Sequence, residues 1–335
     1  MRAAAVALAG LWWILAAHCG ASAATPATPP VRGVAVTPYA EVRAAGVTFD
    51  SMVDEIAALG ARDISVVVQW SQRDVNATEI APHPKETQDD AVVRKMLRRA
   101  RDRGLRTTLF PIIWMERRAP GKWRGTIAPS DVEAWWGAYR AFILHYARLA
   151  ADEGADLFSV GSELNSMEVH EARWRGLIAE VRGVFRGRLT YSANWDHFEH
   201  VRFWDALDLL GVTAYFELTQ EALPSVEALT DAWRKVREVL LDFQARHGRP
   251  LLITEVGWPS QVGGAQRPWN YVAGAAVDLE VQRRCYEAFV AAWSTTRDFG
   301  GVLFWNWWGP GGERDGDYTP RRKPAERHLR AFFSP

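Results

Sequence analysis

Eight short apolar runs alternate along the 335-residue chain with longer amphipathic runs, and this alternation limits the possible folds more than any other feature. Most of the short runs are apolar on both faces, which is typical of parallel strands that are covered by helices. We therefore predict strands over residues 33–39, 63–71, 106–114, 155–165, 188–195, 209–216, 250–258 and 301–308.

The longer runs between these strands have the apolar spacing of helices. Asp89 and Ser130 are suitable N-terminal caps, and glycines such as Gly60 and Gly104 follow helical runs, as they do where helices end. The connection between the fifth and sixth strands is shorter and has space only for a brief helix over residues 203–207. The other predicted helices cover residues 51–59, 89–103, 129–153, 171–184, 225–246, 278–296 and 325–333.

Eight strands, each followed by a helix or a short substitute, favour a closed (β/α)8 TIM barrel formed by a single domain. The alternative is an open doubly wound sheet, which normally carries a glycine-rich turn after its first strand. The turn at residues 38–41 reads PYAE, with neither a GxGxxG motif nor a phosphate-binding loop. No internal repeat or change in composition indicates a second domain.

The N-terminus has the pattern of a secretory signal peptide. Arg2 precedes an apolar run over residues 3–17, and residues 21–23 (ASA) form a small-residue cleavage site. We predict a signal peptide over residues 1–23 and a secreted or periplasmic protein. No later apolar run is long enough to span a membrane.

A Thr/Pro/Ala-rich linker over residues 24–31 follows, which leaves residues 32–335 for the barrel. Cys19 raises the alternative of a lipid anchor, but His18 precedes it where such sites need a small residue. Once the signal peptide is removed, Cys285 would be the remaining cysteine, so we expect no internal disulfide. Cys285 lies in an apolar helical pattern and is interpreted as a small buried hydrophobe.

The charge balance excludes some classes of partner. Lys and Arg number 40 and so do Asp and Glu, for a formal net charge of zero. Nucleic acids and anionic membranes both select basic surfaces, so neither is an expected partner. The 17 tryptophans are many for this length and serve either a large core or flat platforms for weakly polar ligands.

In such a barrel the chemistry gathers at the carboxyl ends of the strands. Glu163 directly follows the apolar part of the fourth strand, and Glu255 follows that of the seventh. Strict strand alternation predicts that Ser159, Gly161 and Glu163 share one face, as do Ile253 and Glu255. Small residues on the face of Glu163 would leave space in the barrel mouth, where the two carboxylates would face each other.

Two facing carboxylates are what glycosidic bond cleavage requires. One donates a proton to the leaving oxygen, while the other attacks the anomeric carbon or activates water. A gap of about 5–5.5 Å gives retention and one of about 6.5–9.5 Å gives inversion. His197, Glu199 and His200 lack the HExxH spacing, so we expect no metal site and no cofactor.

Residues 158–165 (FSVGSELN) and 253–258 (ITEVGW) resemble the corresponding strand ends of the clan A glycoside hydrolases. Within that clan the chain most resembles glycoside hydrolase family 113, whose members are chiefly β-mannanases. The resemblance implies a retaining mechanism with Glu163 as acid/base and Glu255 as nucleophile. It also implies that Tyr215 hydrogen-bonds the nucleophile and that Trp305 forms a platform under the sugar.

The sequence departs from the clan pattern at one position. Most clan members have Asn directly before the acid/base, where its amide binds the sugar 2-hydroxyl, and this chain has Ser162. A water held by Ser162, or the amide of Asn165 or Asn194, would have to replace that contact. The serine therefore affects the prediction of the substrate more than it affects the prediction of the reaction class. The further candidate substrate contacts at strand ends are Asn194, Trp195, Trp258 and Trp114, and for the tryptophans core packing is the competing interpretation.

The sequence thus predicts a secreted, monomeric, retaining glycoside hydrolase that cleaves a β-linked polysaccharide or oligosaccharide, with β-mannan as the expected substrate. Two alternatives remain open at this point. The first is a non-catalytic carbohydrate-binding barrel, which the serine at position 162 favours. The second is a retaining enzyme that acts on a galactan or a glucan.

Overall fold

In a computed structural model, which describes residues 29–37 and 46–334, the strands form one closed barrel. Neighbouring strands are parallel and follow one another in chain order, and β1 pairs with β8 to close the barrel. The predicted TIM barrel is therefore confirmed. The strands are β1 (Val31–Val36), β2 (Asp63–Gln72), β3 (Arg106–Met115), β4 (Leu157–Ser162), β5 (Arg188–Ala193), β6 (Leu209–Thr213), β7 (Leu251–Val256) and β8 (Gly301–Trp307).

The helices of the described residues surround this barrel. They are α1 (Phe49–Ala58), α2 (Asp90–Asp102), α3 (Val132–Asp152), α4 (Glu171–Val184), α5 (Val226–His247), α6 (Leu279–Trp293) and α7 (Glu326–Phe333). Between β5 and β6 the chain makes only two short 3-10 turns, Phe198–His200 and Trp204–Ala206, so the predicted short connection is confirmed. None of the helices in these residues combines the length and apolar character that a membrane span needs.

The predicted signal peptide at residues 1–23, Cys19 and the linker up to residue 28 lie outside the described residues. The last linker residue, Val31, is the first residue of β1. Cys285 is buried in α6, which confirms its interpretation as a small core residue.

Apolar side chains fill the barrel in layers. One layer consists of single residues from five strands: Val31, Leu157, Leu209, Leu252 and Leu303. A second, nearer the carboxyl ends, consists of Ala35, Val67, Phe110 and Ile112, with Trp305 packed against it. Tryptophans from the helices fill the space between the helices and the barrel, and each is fully buried: Trp135, Trp174, Trp233 and Trp293. The layers make the barrel a solid core with its open space at the carboxyl end.

The expectation that Gly161 leaves space in the barrel mouth is wrong. Ser159 pairs with Thr190 and Ser162 with Ser192, so β4 contains one residue more than β5 over this stretch. A Cβ on Gly161 would lie 2.5 Å from the hydroxyl of Tyr139 in α3, on the helix side of the sheet. The β-bulge therefore ends the strict alternation before Glu163 is reached.

A second bulge in β7 also makes the predicted common face of Ile253 and Glu255 wrong. On β6, Val212 pairs with Ile253 and the next residue, Thr213, pairs with Glu255, so Thr254 is the extra residue. Ile253 is buried in the core shared with the helices. Glu255 lines the cavity at the barrel mouth. The bulge, not alternation, turns the carboxylate inward.

Candidate active site

A cavity of about 720 Å³ opens at the carboxyl ends of the strands. It brings together residues from strands that are far apart in sequence, as a closed barrel does. Six of the predicted site residues line it: Glu163, Asn194, Trp195, Tyr215, Glu255 and Trp305. The two candidate carboxylates thus share one pocket, as the sequence predicted.

Glu255 is held in place from one side only. Its side chain is buried, and the hydroxyl of Tyr215 donates a hydrogen bond of 2.9 Å to Oε2. The other oxygen, Oε1, has no hydrogen-bond partner among the described residues. A buried carboxylate oxygen without a partner is costly unless a ligand completes it, so Oε1 is the atom available for reaction.

Glu163 lies directly after β4 in an uncommon backbone conformation, with φ of 53°. For a residue other than glycine, such a conformation costs about 1–3 kcal/mol and is found mainly at functional sites. Its backbone N–H donates to Ser192 O at 2.8 Å, and Arg124 Nη2 donates to Oε2 at 2.5 Å. The carboxylate is therefore fixed both through its backbone and through a cation.

Arg124 reaches this carboxylate because two loops pack together. It begins the 3-10 turn Arg124–Thr126 after β3, and Glu163 precedes the turn Asn165–Met167 after β4. Ser166 Oγ donates a hydrogen bond of 2.6 Å to Ile127 O and joins the two turns. The sequence did not predict Arg124 as a site residue, because a single arginine on a loop gives no indication of which carboxylate it will pair with.

The electrostatics of the pocket favour one proton shared between the two carboxyls. Burial, and after it the negative charge of Glu163, raise the pKa of Glu255 to about 8. Arg124 and the Tyr215 hydroxyl act in the opposite direction. Because two buried carboxylates in one pocket do not both ionise readily, the pocket favours a state in which one of them keeps a proton.

A buried hydrogen-bond network supports the loop that carries Glu163. The backbone N–H of Leu164 donates to the hydroxyl of Tyr191 at 2.9 Å, and that hydroxyl donates to Glu168 Oε1 at 2.7 Å. His197 Nδ1 lies 2.7 Å from the other oxygen, Glu168 Oε2. Burial raises the pKa of Glu168, while these hydrogen bonds lower it. The sequence did not reveal the network, because its members come from three separate segments.

Ser162 and Asn165 lie beside the cavity without lining it. Ser162 is buried, and its Oγ has no hydrogen-bond partner among the described residues. Asn165 is half-buried in the turn after Glu163. The Asn194 amide lines the pocket and donates to Asp196 Oδ1 at 2.6 Å. Of the two amides considered as replacements for the clan asparagine, Asn194 is the one on the cavity wall.

Two predicted aromatic contacts are placed elsewhere. Trp258 is 1% exposed and packs against Trp233 and Tyr286, behind the barrel wall. Trp114 is half-buried and makes an edge-to-face contact with His83 at 5.1 Å. Neither ring lines the catalytic cavity. For these two residues the structure supports a role in packing and not in contact with the sugar.

The cavity wall also includes Met115, the last residue of β3, and a set of loop residues. The loop residues are Arg118, Gly121, Lys122, Trp123, Arg124, Asp196, Glu217, Trp269 and Tyr318. Trp269 and Tyr318 come from the long loops after β7 and β8. Loop shape, which the sequence does not give, determines this outer wall.

Within the ranges that the structure describes, no group of three or more His, Cys, Asp or Glu side chains is arranged to hold a metal ion. The cluster considered in the sequence serves other contacts. His197 pairs with Glu168, and Glu199 accepts a hydrogen bond of 2.8 Å from Arg246 Nη2. The two histidine rings, His197 and His200, stack at 4.3 Å.

A TIM barrel with two buried carboxylates and aromatic walls in one cavity at its carboxyl end has the features of a glycoside hydrolase. A family model supports the same class, since glycoside hydrolase family 113 matches residues 42–314. The chain belongs to this family, and the protein is a glycoside hydrolase. No curated protein sequence matches it significantly.

Solved structures of similar proteins agree with this assignment. The family 113 β-mannanase AaManA from Alicyclobacillus acidocaldarius is 31% identical, with a TM-score of 0.81 over 92% of this chain and 98% of that chain. Another family 113 β-1,4-mannanase is 24% identical, with a TM-score of 0.78 over 91% of this chain and 99% of that one. A β-glucuronidase from Faecalibacterium prausnitzii shares the fold at 13% identity, with a TM-score of 0.61 over 91% of this chain and 49% of its own.

Proposed function

We propose that this glycoside hydrolase cleaves β-1,4-linked mannan with retention, by double displacement. The observation that carries the proposal is the buried Glu255, hydrogen-bonded by Tyr215 and facing Glu163 in one cavity. The substrate is proposed from AaManA, a β-mannanase 31% identical to this chain over 92% of its length. The experiment below tests which sugar the cleft accepts.

In the first step Glu255 Oε1 attacks the anomeric carbon. The bond between that carbon and the glycosidic oxygen breaks, and Glu163 transfers its proton to the leaving oxygen. Tyr215 holds the other oxygen of Glu255 and keeps Oε1 directed at the sugar. For Glu163 to act as an acid, its ion pair with Arg124 must be released or weakened when the substrate enters.

In the second step water replaces the leaving group. Glu163, now ionised, takes a proton from the water, whose oxygen attacks the anomeric carbon. The bond between that carbon and Glu255 breaks and restores the carboxylate. The two inversions together give net retention. Both oxygens of the nucleophile are thus used, one for bonding and one for orientation.

The cavity wall supplies the contacts that position a sugar. Trp305 and Trp195 offer flat apolar faces, which suit the C–H faces of pyranose rings. Asn194 is the amide on the wall that can donate to or accept from a sugar hydroxyl. In the proposed complex Asn194 takes the role of the asparagine that most clan members have at the position of Ser162. Asn194 is therefore the residue that we expect to hydrogen-bond the sugar 2-hydroxyl.

The proposal is tested with purified protein on β-1,4-mannan, β-1,4-galactan and β-1,4-glucan, with product sizes read out. We expect turnover on mannan, loss of at least about 10³-fold in kcat for Glu255→Ala, and a comparable loss on mannan for Glu163→Ala. Glu116→Gln is the matched control, since Glu116 lies in the loop after β3 and does not line this cavity. Selective turnover of galactan or glucan would show that mannan is not the substrate. Full activity of Glu255→Ala would show that Glu255 is not the nucleophile.

We also propose that residues 1–23 direct the protein out of the cytoplasm. The charged start, the apolar run and the ASA site in the sequence support this. Expression of the full chain in a bacterial host, followed by fractionation and N-terminal sequencing, is expected to give a mature chain that begins at Ala24. A protein that stays in the cytoplasm with its first residues intact would contradict it.

A further inference from the structure

Trp269 is an aromatic side chain that the fold does not use for its core. It lies in the long loop between β7 and α6 and is 47% exposed. Leaving so much of an indole in water forgoes the stabilisation that its burial would give. An exposed indole at the edge of a sugar-cleaving cavity is better explained by a ligand that covers it than by packing.

The position of this ring is fixed by hydrogen bonds. Its indole N–H donates to Glu217 Oε1 at 3.2 Å. The carbonyl of the preceding residue, Pro268, accepts a hydrogen bond of 2.6 Å from the Tyr318 hydroxyl. Because both the ring and the backbone beside it are held, Trp269 presents a defined surface.

The loop beyond Trp269 is fixed as well. The buried amide of Gln261 binds the backbone of Val272 in both directions, with Nε2 to O at 2.9 Å and N to Oε1 at 3.2 Å. These bonds close the segment that carries Trp269 into a loop with a defined shape. A preorganised loop loses little further entropy when it binds a ligand.

Trp269 and Glu217 separate two cavities and line both of them. On one side is the catalytic cavity, and on the other is a second cavity of about 530 Å³. The second wall is rich in amides and carries one guanidinium; it includes Gln220, Gln261, Gln266, Arg267 and Asn270. The side chains of Gln220, Arg267 and Asn270 are exposed.

We infer that Trp269 and the cavity beyond it form an outer binding subsite for one further hexose unit of the same glycan chain. The inference rests on the proposed function and specifies how the cleft is extended. A pyranose ring has a C–H face that stacks on an indole and a rim of hydroxyls that amides and a guanidinium can bind. The polar lining supplies such groups next to the ring, where the glycan leaves the catalytic cavity.

The test measures kcat/KM for a series of β-1,4-manno-oligosaccharides of increasing length. In the wild type we expect a stepwise rise at the length that first reaches Trp269. In Trp269→Ala the step is lost, because kcat/KM falls about tenfold more on chains beyond that length than on shorter ones. Trp269→Phe keeps part of the step because it keeps an aromatic face.

Tyr271→Ala is the matched control. Tyr271 lies two residues away with a similar exposure of 46%, and it lines neither cavity. This variant is expected to keep the wild-type dependence on length. An unchanged step in Trp269→Ala would overturn the inference. So would an equal loss at all lengths, because that result indicates a structural effect on the catalytic pair.

A binding measurement separates failure of the inference from failure of the proposed function. Mannohexaose is titrated into Glu255→Ala and into the Glu255→Ala/Trp269→Ala double variant. Weaker binding by the double variant, about tenfold, supports the subsite even where the wild type hydrolyses no glycan. Equal binding by the two proteins overturns the subsite, and hydrolysis by the wild type then leaves the proposed function intact.

Discussion

The proton shared by Glu163 and Glu255 is the residue-level property on which the proposed chemistry depends. The pair must carry one proton, because one carboxyl acts as an acid while the other attacks as a base. Burial and the charge of Glu163 raise the pKa of Glu255 to about 8, so the pair keeps a proton at neutral pH. The proposed mechanism requires this proton to be on Glu163, beside the leaving oxygen, when the bond breaks.

The first prediction concerns pH. The active form is the singly protonated pair, and a raised pKa means that this form persists as pH rises until the pKa is passed. We therefore expect kcat/KM to fall above about pH 8, tenfold for each further pH unit. The measurement is a pH profile of kcat/KM with the fold monitored by circular dichroism. A profile that stays flat to pH 10 would contradict the shared proton.

The second prediction concerns Arg124. Its positive charge lowers the pKa of Glu255, so removing the charge should let the pair hold its proton to higher pH. Arg124→Gln is expected to move the alkaline limb of the pH profile upward. Arg73→Gln is the control, because the exposed Arg73 pairs with Asp74 away from the catalytic cavity. A limb that moves downward would show that Arg124 acts in another way.

Some of this residue-level detail could be predicted and some could not. The sequence predicts Glu163 and Glu255 as the carboxylate pair because each directly follows an apolar strand, which places it at the barrel mouth. Arg124 lies on a loop, and its contact with Glu163 depends on how two turns pack together. Contacts of that kind follow from loop geometry, which no local pattern encodes.

At the scale of elements, the segment after β4 is held in place by a series of hydrogen bonds. Glu163 leaves the bulged strand with a positive φ, and the next N–H, that of Leu164, is bound by Tyr191 of β5. Tyr191 in turn donates to the buried Glu168. These bonds hold the backbone in a conformation that it would otherwise leave, and so position the carboxyl that we propose as the acid/base.

The third prediction tests this positioning. Tyr191→Phe removes the acceptor for Leu164 N–H and is expected to lower kcat/KM about 10- to 100-fold on oligosaccharides, whose leaving groups need the acid. On a 2,4-dinitrophenyl glycoside of the same sugar, whose leaving group needs no proton, kcat/KM should be unchanged. Steady-state kinetics on both substrates measures the difference.

The control for this substitution is Tyr286→Phe. Tyr286 is also fully buried, and its hydroxyl has no hydrogen-bond partner among the described residues. It should show wild-type kinetics on both substrates. An equal loss by Tyr191→Phe on the two substrates would indicate a general structural defect and not misplacement of the acid.

The order and type of the elements were predictable, whereas their irregularities were not. Apolar periodicity located all of the strands, but strict alternation placed Gly161 on the wrong face because β4 contains a bulge. Trp258 and Trp305 both end strands in the sequence. Only burial distinguishes them, since Trp258 is covered by α5 and α6 while Trp305 lines the cavity.

At the scale of the whole molecule, closure of the barrel links the two ends of the chain. β1 pairs with β8, and α7 covers the outside of this closure. Phe332 of α7 packs against Phe304 of β8 at 5.4 Å, and Arg32 of β1 lies over its ring at 5.3 Å. The C-terminal helix therefore contributes to the stability of the barrel whose carboxyl end forms the site.

The fourth prediction follows from this packing. Phe332→Ala is expected to lower the free energy of unfolding by about 3–5 kcal/mol, because it leaves a cavity in a well-packed cluster. Val239→Ala in α5 is the control, since Val239 is 54% exposed, and its effect should stay within about 0.5 kcal/mol. Chemical denaturation followed by fluorescence measures both. Equal stabilities would contradict the role of α7.

The proposed mechanism depends on a glycosyl group bound to the enzyme through Glu255, and the anomeric configuration of the first product tests this intermediate most directly. Proton NMR during the first minutes of manno-oligosaccharide hydrolysis distinguishes the two anomers before mutarotation mixes them. Double displacement predicts that the β-anomer appears first. Initial appearance of the α-anomer would show a single displacement and contradict the proposed role of Glu255.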